Sequence, residues 1–279
     1  MIKKPWRVTM IKKTDKITYG ETIYYNDELE DDFEKTNLKR IAIPEDFKFH
    51  HTNWFYNLCS NILYFVFAVP ILGIICLFGG IKVKGRENLK ELNGEGCFIY
   101  SNHTSFFDVF DNQVLVFPFK KTHILGYTDA LSNKLLKVVT PMLGHIPIPD
   151  TPRTFKKFQE SMEYYVLKKN HNILVYPEAH IWPYYTKIRP FISTSFKYPA
   201  KLNRAVLPIT ACYRKSKFSN KAKITLYIGK PIYPKLDLSV NENKEYLRDE
   251  CFNVMSETAK KYSTYEYIKY VKKVNEDEN

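Results

Sequence analysis

Hydrophobic and polar positions divide the chain into three stretches with different patterns. Residues 1–52 are mostly polar, include an acidic run at 27–34, and place their apolar side chains at no regular period. We expect an extended or weakly structured arm there. Residues 62–78 carry no charge, and after residue 81 short apolar runs alternate with amphipathic stretches. The pattern predicts a polar arm (1–52), an apolar helical segment (53–81) and an α/β domain (82–279).

The apolar segment has the features of a membrane anchor. An aromatic cluster at 54–56 precedes the uncharged run, and a basic cluster at 82–86 follows it. These are the two kinds of side chain that anchor a helix at a membrane interface. The run is at the lower limit of length for crossing a hydrocarbon core of about 30 Å, and Pro70 would kink a helix near its centre. We predict membrane contact, either as a span or as a shallow re-entrant anchor; the alternative is a buried core helix.

The α/β domain contains several short apolar runs that are typical of buried strands. The best strand candidates are residues 97–100, 173–176, 205–213 and 224–228. Thr151 followed by Pro152 predicts the N-cap and first residue of an amphipathic helix between the first two of these strands. A further helix is predicted from about residue 243 to 273, with its aromatic positions in the core or on the surface.

Composition limits the classes of molecule that we expect the chain to bind. Its formal net charge of +12 and pI of about 9.2 favour anionic partners: phospholipid headgroups, nucleic acid or an acidic carrier protein. The sequence has no arginine-rich run and no zinc-finger spacing of cysteines and histidines, so we expect no nucleic acid partner. The five cysteines form no C-x-x-C pair, which indicates a reducing compartment. No apolar stretch follows the N-terminal charges, so a cleaved secretory signal is not expected.

A histidine and an acid follow the first predicted strand of the domain. Residues 101–108 read Ser-Asn-His-Thr-Ser-Phe-Phe-Asp, so a helix capped by Ser105 would hold Asp108 at its third position, close to His103. An imidazole paired with a carboxylate can act as a general base on an alcohol. The alternative is that Asp108 completes a capping box with Ser105 and that His103 is an ordinary loop residue.

A second polar cluster follows the strand at 173–176. Residues 176–180 read Tyr-Pro-Glu-Ala-His, and ligands of α/β proteins bind beyond the carboxyl ends of strands. The position of this cluster supports the first one. His145, His180 and the pair at 50–51 have no third ligand at a recognisable spacing, so we predict no metal site.

These motifs resemble those of a known family. Residues 102–108 resemble the NHx4D motif, and residues 176–178 the FPEG motif, of the lysophosphatidic acid acyltransferase family of glycerolipid acyltransferases. Residues 83–89, 207–209 and 229–232 are similar to the family's flanking patterns. The resemblance covers about residues 60–235, and the order and spacing of the motifs are more specific than any one of them.

The resemblance implies a glycerolipid acyltransferase fold: an α/β domain with a mixed central sheet flanked by helices, behind an N-terminal membrane-anchoring helical segment. It implies phospholipid biosynthesis at the cytoplasmic face of the cell membrane, an acyl-CoA or acyl-carrier-protein donor, a lysophospholipid acceptor such as 1-acyl-glycerol-3-phosphate, and no metal or other cofactor. His103 is then the base, Asp108 its partner and Glu178 an acceptor-site residue. The other predicted substrate-binding residues beside the motifs are Asn102, Ser105 and His180.

The sequence departs from the family pattern where arginines hold the acceptor phosphate. Residues 179–181 are Ala-His-Ile in place of Gly-Thr-Arg, and the segment 144–150 ends in an acid where a second arginine is expected. Both departures weaken the expectation of a phosphorylated acceptor. Arg153, Lys187 and Arg189 lie close enough in sequence to substitute, so we predict that they bind the acceptor phosphate.

The leading hypothesis is direct attack of the acceptor hydroxyl on a thioester, with backbone amides after Thr104 stabilising the oxyanion. Three alternatives stay open: a membrane lipid-binding protein without the reaction, an acyltransferase for a non-phosphorylated acceptor, and a hydrolase in which His103 and Asp108 activate water. The sequence does not decide the acyl length, the donor carrier, the oligomeric state or the function of the acidic arm.

Overall fold

The computed structural model of the protein describes residues 18–33, 40–105 and 107–273. The predicted N-terminal arm therefore lies partly outside the described residues, and so does the end of its acidic run. The described residues form one two-stranded sheet and one seven-stranded mixed sheet with helices around it. The predicted α/β fold class is confirmed.

Nine strands build the two sheets. They are β1 (Thr22–Tyr25), β2 (Lys82–Lys84), β3 (Phe98–Ser101), β4 (Thr122–Gly126), β5 (His145–Pro147), β6 (Asn172–Val175), β7 (Val206–Lys215), β8 (Ala222–Ile228) and β9 (Lys269–Lys272). The large sheet has the order β2-β8-β7-β3-β6-β4-β5, in which only the β7–β8 pair is antiparallel. All four predicted strands are present, each shifted by at most a few residues.

Six helices accompany the sheets. They are α1 (Trp54–Gly79), α2 (Asp108–Asp111, continued by a π-helical turn at Asn112–Val116), α3 (Lys134–Met142), α4 (Pro152–Glu163, continued by Tyr164–Lys168), α5 (Lys197–Leu202) and α6 (Val240–Tyr262). Short 3-10 turns occupy Arg86–Leu92, Thr128–Leu131 and Thr194–Phe196. Thr151 is the N-cap of α4 and Pro152 its first residue, as predicted.

Alternating side chains of the central strands face two separate cores. Phe98 and Tyr100 of β3 pack against apolar residues of α4 and α6, whereas Ile99 between them packs on the opposite face, near the end of α2. Each central strand is buried on both sides because helices cover both faces, which is why the strands are apolar at every position rather than at alternate ones.

The C-terminal helix is shorter than predicted. α6 begins at Val240, behind a capping box formed by Ser239 and Glu242, and ends at Tyr262. Residues 263–268 leave the helix, and the chain then forms β9, which pairs in parallel with β1. The prediction of one helix to residue 273 was wrong because the tyrosines after Ser263 pack against the N-terminal arm and Trp182 instead of against the sheet.

The arm is also more ordered than predicted over its described residues. β1 is a regular strand, and its partner β9 comes from the far end of the chain, with Ile23 opposite Tyr270. A strand whose only partner lies some 250 residues away leaves no local signal, so the pattern of the arm alone could not predict it.

Helix α1 runs along the domain instead of projecting from it. Tyr64 is buried and its hydroxyl donates to Oε1 of Gln113 at 3.2 Å, and Cys76 lies in a cluster with Val114 and Leu115. The helix has 26 residues and a length of about 39 Å, which is long and apolar enough to cross a membrane. Its outer face is exposed, to 88% at Phe78.

A tight turn explains the sequence of the segment at 83–89. Gly85 has φ +83°, and a Cβ there would collide with the carbonyl oxygen of Ile228. Asn88 donates through Nδ2 to the same carbonyl at 2.9 Å. This turn therefore fixes β2 against the end of β8, and only glycine fits at its start.

Candidate active site

The two predicted motifs meet because their strands are neighbours. β3 and β6 are parallel and paired, with Tyr100 opposite Val175, so the loops that follow both strands leave the same edge of the sheet. The imidazole of His103 stacks on the ring of Tyr176, with centroids 4.2 Å apart and planes 19° apart. The ring of His103 is fixed on one side by this contact and stays partly exposed.

Asp108 contacts His103 and also holds the loop around it. Its Oδ2 lies 3.5 Å from Nδ1 of His103 and accepts hydrogen bonds from the backbone N–H groups of Thr104 (2.6 Å) and Ser105 (2.8 Å). The Nδ1–Oδ2 separation is long for a hydrogen bond, and such contacts often tighten only when substrate binds. Asp108 is the first residue of α2, not the third as predicted, because Phe107 is in the cap position.

The structure contains one contact from each of the two alternatives for this motif. The carboxylate of Asp108 accepts from the amide of Ser105, as in a capping box, and the same oxygen faces the imidazole. Ser105 itself accepts through Oγ from the amide of Phe107 at 3.1 Å. The hydroxyl oxygen of Ser105, predicted to bind substrate, thus accepts one hydrogen bond within this local turn.

The expected oxyanion site after Thr104 is not free. The amides of Thr104 and Ser105 point at Asp108, and that of Phe107 points at Ser105. The amide of Asp108 donates to the carbonyl of Ser105 at 3.2 Å. Because these four donors have acceptors inside the loop, the prediction that amides of this turn hold an oxyanion is wrong for them.

Asn102 connects the motif to the sheet. Its Oδ1 accepts from the amide of Ala211 at 2.8 Å and its Nδ2 donates to the carbonyl of the same residue at 3.1 Å. Asn102 is buried, and both ends of its amide are used by one residue of β7. It was predicted to bind substrate. In the structure its side chain instead binds the backbone of β7 and fixes where the chain leaves β3.

Glu178 stands behind His103 rather than beside an open acceptor site. Its carboxylate is buried, accepts from the amide of His103 at 3.3 Å and from the amide of Arg189 at 3.0 Å, and lies 3.4 Å from Nη2 of Arg189. Burial raises the pKa of Glu178, and the neighbouring guanidinium opposes that rise. The acid therefore holds the backbone of the catalytic loop.

Arg189 is an internal cation, which corrects its predicted function. It is 1% exposed, and its guanidinium donates to the carbonyls of Glu28 (3.0 Å), Glu178 (3.2 Å) and His180. A guanidinium engaged in this way cannot bind an acceptor phosphate without unfolding its surroundings. The sequence placed it near the site correctly but could not show that it faces inward.

The other predicted phosphate ligands, Arg153 and Lys187, lie on the surface; His180 was predicted to bind substrate. Arg153 is exposed at the start of α4 and pairs with Glu45 at 2.6 Å. Lys187 is exposed. His180 is partly buried, and its Nδ1 lies 3.6 Å from Oδ2 of Asp32, in the arm. Of these three residues, Lys187 has no ion pair among the described residues.

Two aromatic residues of the site were missed by reasoning from motifs. Trp182 is fully buried, its backbone N–H donates to the carbonyl of His103 at 3.1 Å, and its Nε1 donates to the carbonyl of Asp31 at 2.7 Å. Tyr213 donates through its hydroxyl to Oγ1 of Thr104 at 2.8 Å. The sequence did contain a signal for both: Trp182 is a bulky aromatic residue with a polar group close to the second motif, and Tyr213 is one within a predicted strand.

The residue after Glu178 has an unusual backbone conformation. Ala179 has φ +62°, a region that favours glycine, and its amide donates to the carbonyl of Tyr176 at 3.1 Å. The turn thus keeps the shape that a glycine would give, although the sequence has alanine. The departure at residue 179 consequently costs backbone strain without changing the path of the chain.

A second acid lies one turn beyond Asp108. Asp111 is buried, and burial together with the nearby charge of Asp108 raises its pKa well above the usual range. These surroundings favour the neutral form of Asp111. Within the described part of the chain, no group of three His, Cys, Asp or Glu side chains could hold a metal ion.

The chain was compared with known proteins. Residues 80–211 match the sequence profile of the family described as Acyltransferase. Among solved structures, the chain is similar to the 1-acyl-sn-glycerophosphate (LPA) acyltransferase PlsC from Thermotoga maritima, with 17% sequence identity, a TM-score of 0.49, and coverage of 73% of this chain and 92% of that chain. A search of curated proteins found no match.

The matched stretch contains His103, Asp108 and Glu178, and it spans the strands that bring them together. Over this stretch the chain is therefore similar to the Acyltransferase family, as its motifs predict.

Proposed function

We propose that the protein transfers a fatty acyl group from acyl-CoA or acyl-carrier protein to the hydroxyl of a lysophospholipid, with 1-acyl-glycerol-3-phosphate as the acceptor. One observation carries the proposal. Nδ1 of His103 faces Oδ2 of Asp108 at 3.5 Å, which leaves Nε2 as the nitrogen that can take a proton from a substrate. Such a pair makes an alcohol nucleophilic without any nucleophile of the protein.

The reaction needs two steps. Nε2 of His103 removes the hydroxyl proton while the acceptor oxygen bonds to the thioester carbonyl carbon, and the carbonyl oxygen becomes an oxyanion. Collapse of this intermediate restores the carbonyl and breaks the carbon–sulfur bond. The leaving thiolate takes the proton back from the imidazolium, so His103 returns to its neutral form. Asp108 stabilises the imidazolium between the two steps. This mechanism uses no metal or other cofactor.

Helix α1 supports the proposal that the protein binds a membrane, and the resemblance of the motifs implies the cytoplasmic face of the cell membrane. Its exposed face carries large apolar side chains, including Trp54, Val66 and Phe78, and such a surface is not stable in water. The opposite side of the same helix packs on the domain from Tyr64 to Cys76. A helix held along its length by a folded domain fits one leaflet better than a full span. We therefore propose an anchor that lies in the membrane surface.

The acceptor phosphate has few candidate ligands among the predicted residues. Arg189 is internal and Arg153 is paired with Glu45, so Lys187 is the remaining candidate for the phosphate of the acceptor. The burial of Arg189 is also the specific observation that favours a second candidate function, acyl transfer to a non-phosphorylated hydroxyl.

The direct test uses purified protein in vesicles with acyl-CoA or acyl-carrier protein and a panel of phosphorylated and non-phosphorylated acceptors. Replacing His103 with Ala should lower turnover by about 10²–10⁴-fold while folding and vesicle binding persist. His50→Gln is the matched control, because His50 stacks on Tyr164 away from the site. Full turnover by the His103→Ala protein would refute the assignment of the base.

The same assay separates the alternatives. Thioester cleavage that does not depend on acceptor indicates a hydrolase, and lipid binding without any turnover indicates a binding protein. If Lys187 binds the acceptor phosphate, Lys187→Met should raise KM for the phosphorylated acceptor alone. An equal rise for both acceptor classes would count against that function of Lys187.

A further inference from the structure

A polar cavity of about 70 Å³ lies at the edge of the sheet opposite to His103. β3, β4 and β6 are parallel, so His103 follows the carboxyl end of β3 whereas Lys121 and His171 precede the amino ends of β4 and β6. The cavity is therefore separate from the catalytic loop. Its lining residues include Asn57, Ser60, Lys121, His123, Lys169 and His171.

The charges around this cavity have one sign. Two lysines supply these charges; two histidines also line the cavity, and no carboxylate of the described residues does. Lys121 is only 5% exposed, and its ammonium group donates to Oγ of Ser60 (2.6 Å) and to the carbonyl of Met142 (3.0 Å). An ammonium group has three donors, so one N–H remains for a ligand. A buried cation without a counter-ion is costly, and an anion in the cavity would supply that counter-ion.

The two histidines of the cavity contact each other. Nε2 of His123 lies 3.0 Å from Nδ1 of His171, so the two rings share a hydrogen bond. Burial, and then the positive charges of Lys121 and Lys169, lower the pKa of His171 to about 4. Burial lowers the pKa of Lys121 to about 8. Burial is therefore the main cause of both shifts, and the charges of the neighbouring lysines add to it at His171.

The position of the cavity indicates which anion reaches it. Asn57 and Ser60 belong to the first turns of α1, next to the exposed Trp54 and Phe55. Aromatic side chains of this kind lie at the level of lipid headgroups, where phosphate groups are the abundant anions. Helix α3 contacts this end of α1, and its Leu135 is also exposed. The cavity thus opens where the membrane surface meets the domain.

We propose that the cavity between the start of α1 and the amino ends of β4 and β6 binds the phosphate group of an anionic phospholipid headgroup. Lys121 and Lys169 supply the charge and donate the hydrogen bonds to the phosphate. This headgroup site anchors the protein at a fixed depth and angle, independently of the acyl-transfer site.

The test compares two double variants that lose the same charge. Lys121→Met with Lys169→Met empties the cavity of its cations, and Lys134→Met with Lys137→Met removes two exposed lysines of α3 outside the cavity. Full-length protein in a phosphate-free maltoside detergent is titrated with dihexanoyl phosphatidic acid, dihexanoyl phosphatidylcholine or inorganic phosphate, and thermal unfolding is followed. Lys169→Glu alone repeats the comparison at an exposed position, in case loss of Lys121 prevents folding.

Phosphatidic acid should raise the Tm of the unmodified protein and of the α3 variant, and about tenfold more should be needed in the cavity variant. His103→Ala should leave this difference unchanged, so a failure here is distinguishable from a failure of the acyl-transfer proposal. An equal response to inorganic phosphate would assign the cavity to free phosphate and overturn its lipid part. Identical responses of the two double variants, or no response, would overturn the site.

Discussion

Replacing Asp108 with Asn tests the centre of the site, because one oxygen atom has three contacts. Oδ2 accepts from the amides of Thr104 and Ser105 and faces His103, whereas Oδ1 is buried and has no hydrogen-bond partner among the described residues. Asparagine has a single oxygen. If it occupies the position of Oδ2, the new NH₂ group is buried without an acceptor. If the amide is reversed, NH₂ faces two N–H donors. Neither orientation satisfies the site.

The expected magnitude follows from these contacts. Two charge-assisted hydrogen bonds become neutral ones, which are about half as strong, and one buried NH₂ group loses its water at a cost of about 1–3 kcal/mol. We therefore expect the free energy of unfolding to fall by about 2–4 kcal/mol. The imidazole also loses the charge that stabilises its protonated form, so kcat/KM should fall by about 10²–10⁴-fold, the usual contribution of general base catalysis.

Initial rates of acyl transfer and urea unfolding measure the two effects separately. Asp111→Asn is the matched control, since burial and the nearby carboxylate of Asp108 raise the pKa of Asp111 and favour its neutral form. An amide of the same shape replaces that form, so activity should stay close to that of the unmodified protein. The reasoning fails if Asp108→Asn retains full activity, or if Asp111→Asn loses as much.

Three further predictions concern other parts of the structure. Tyr176→Leu should lower kcat by about tenfold because it removes the ring on which His103 stacks, while Tyr176→Phe keeps the ring and most activity; steady-state rates of both variants decide this. Arg189→Met should reduce the free energy of unfolding by about 3–5 kcal/mol, since Glu178 would stay buried without its cation, and a smaller loss by urea unfolding would contradict the internal ion pair. Burial lowers the pKa of Lys121 from 10.5 to about 8, so the unfolded chain binds more protons between these values. Unfolding free energies in phosphate-free buffer should therefore rise with pH across that window relative to Lys121→Met, and parallel pH profiles would exclude the shift.

The sequence predicted the parts of the fold that depend on local patterns. Apolar runs at 97–100 and 173–176 indicated buried strands, and β3 and β6 are those strands within a residue or two. Polar residues after such runs gather at one edge when the strands are parallel, which is why His103 and Tyr176 could be placed together without coordinates. The N-cap at Thr151 was equally accessible because a cap and its helix are neighbours in sequence.

The direction in which a polar side chain points was not accessible in the same way. Asn102 and Arg189 both lie beside motifs and both resemble substrate ligands in sequence. Asn102 is nevertheless fastened to Ala211, 109 positions away, and Arg189 to Glu28, 161 positions away. Whether such a group faces substrate or protein depends on which distant backbone atom needs a partner. That need arises only when the chain is folded.

The contacts of the N-terminal arm could not be predicted for the same reason. Its described residues satisfy single buried donors near the site: the carbonyl of Asp31 accepts from Trp182, and the carbonyl of Glu28 accepts from Arg189. Trp182 in turn donates to the carbonyl of His103. A segment that works through isolated backbone atoms needs no hydrophobic period, which explains its irregular sequence. Because these contacts reach the residues that hold the loop of His103, the described part of the arm supports that loop through them.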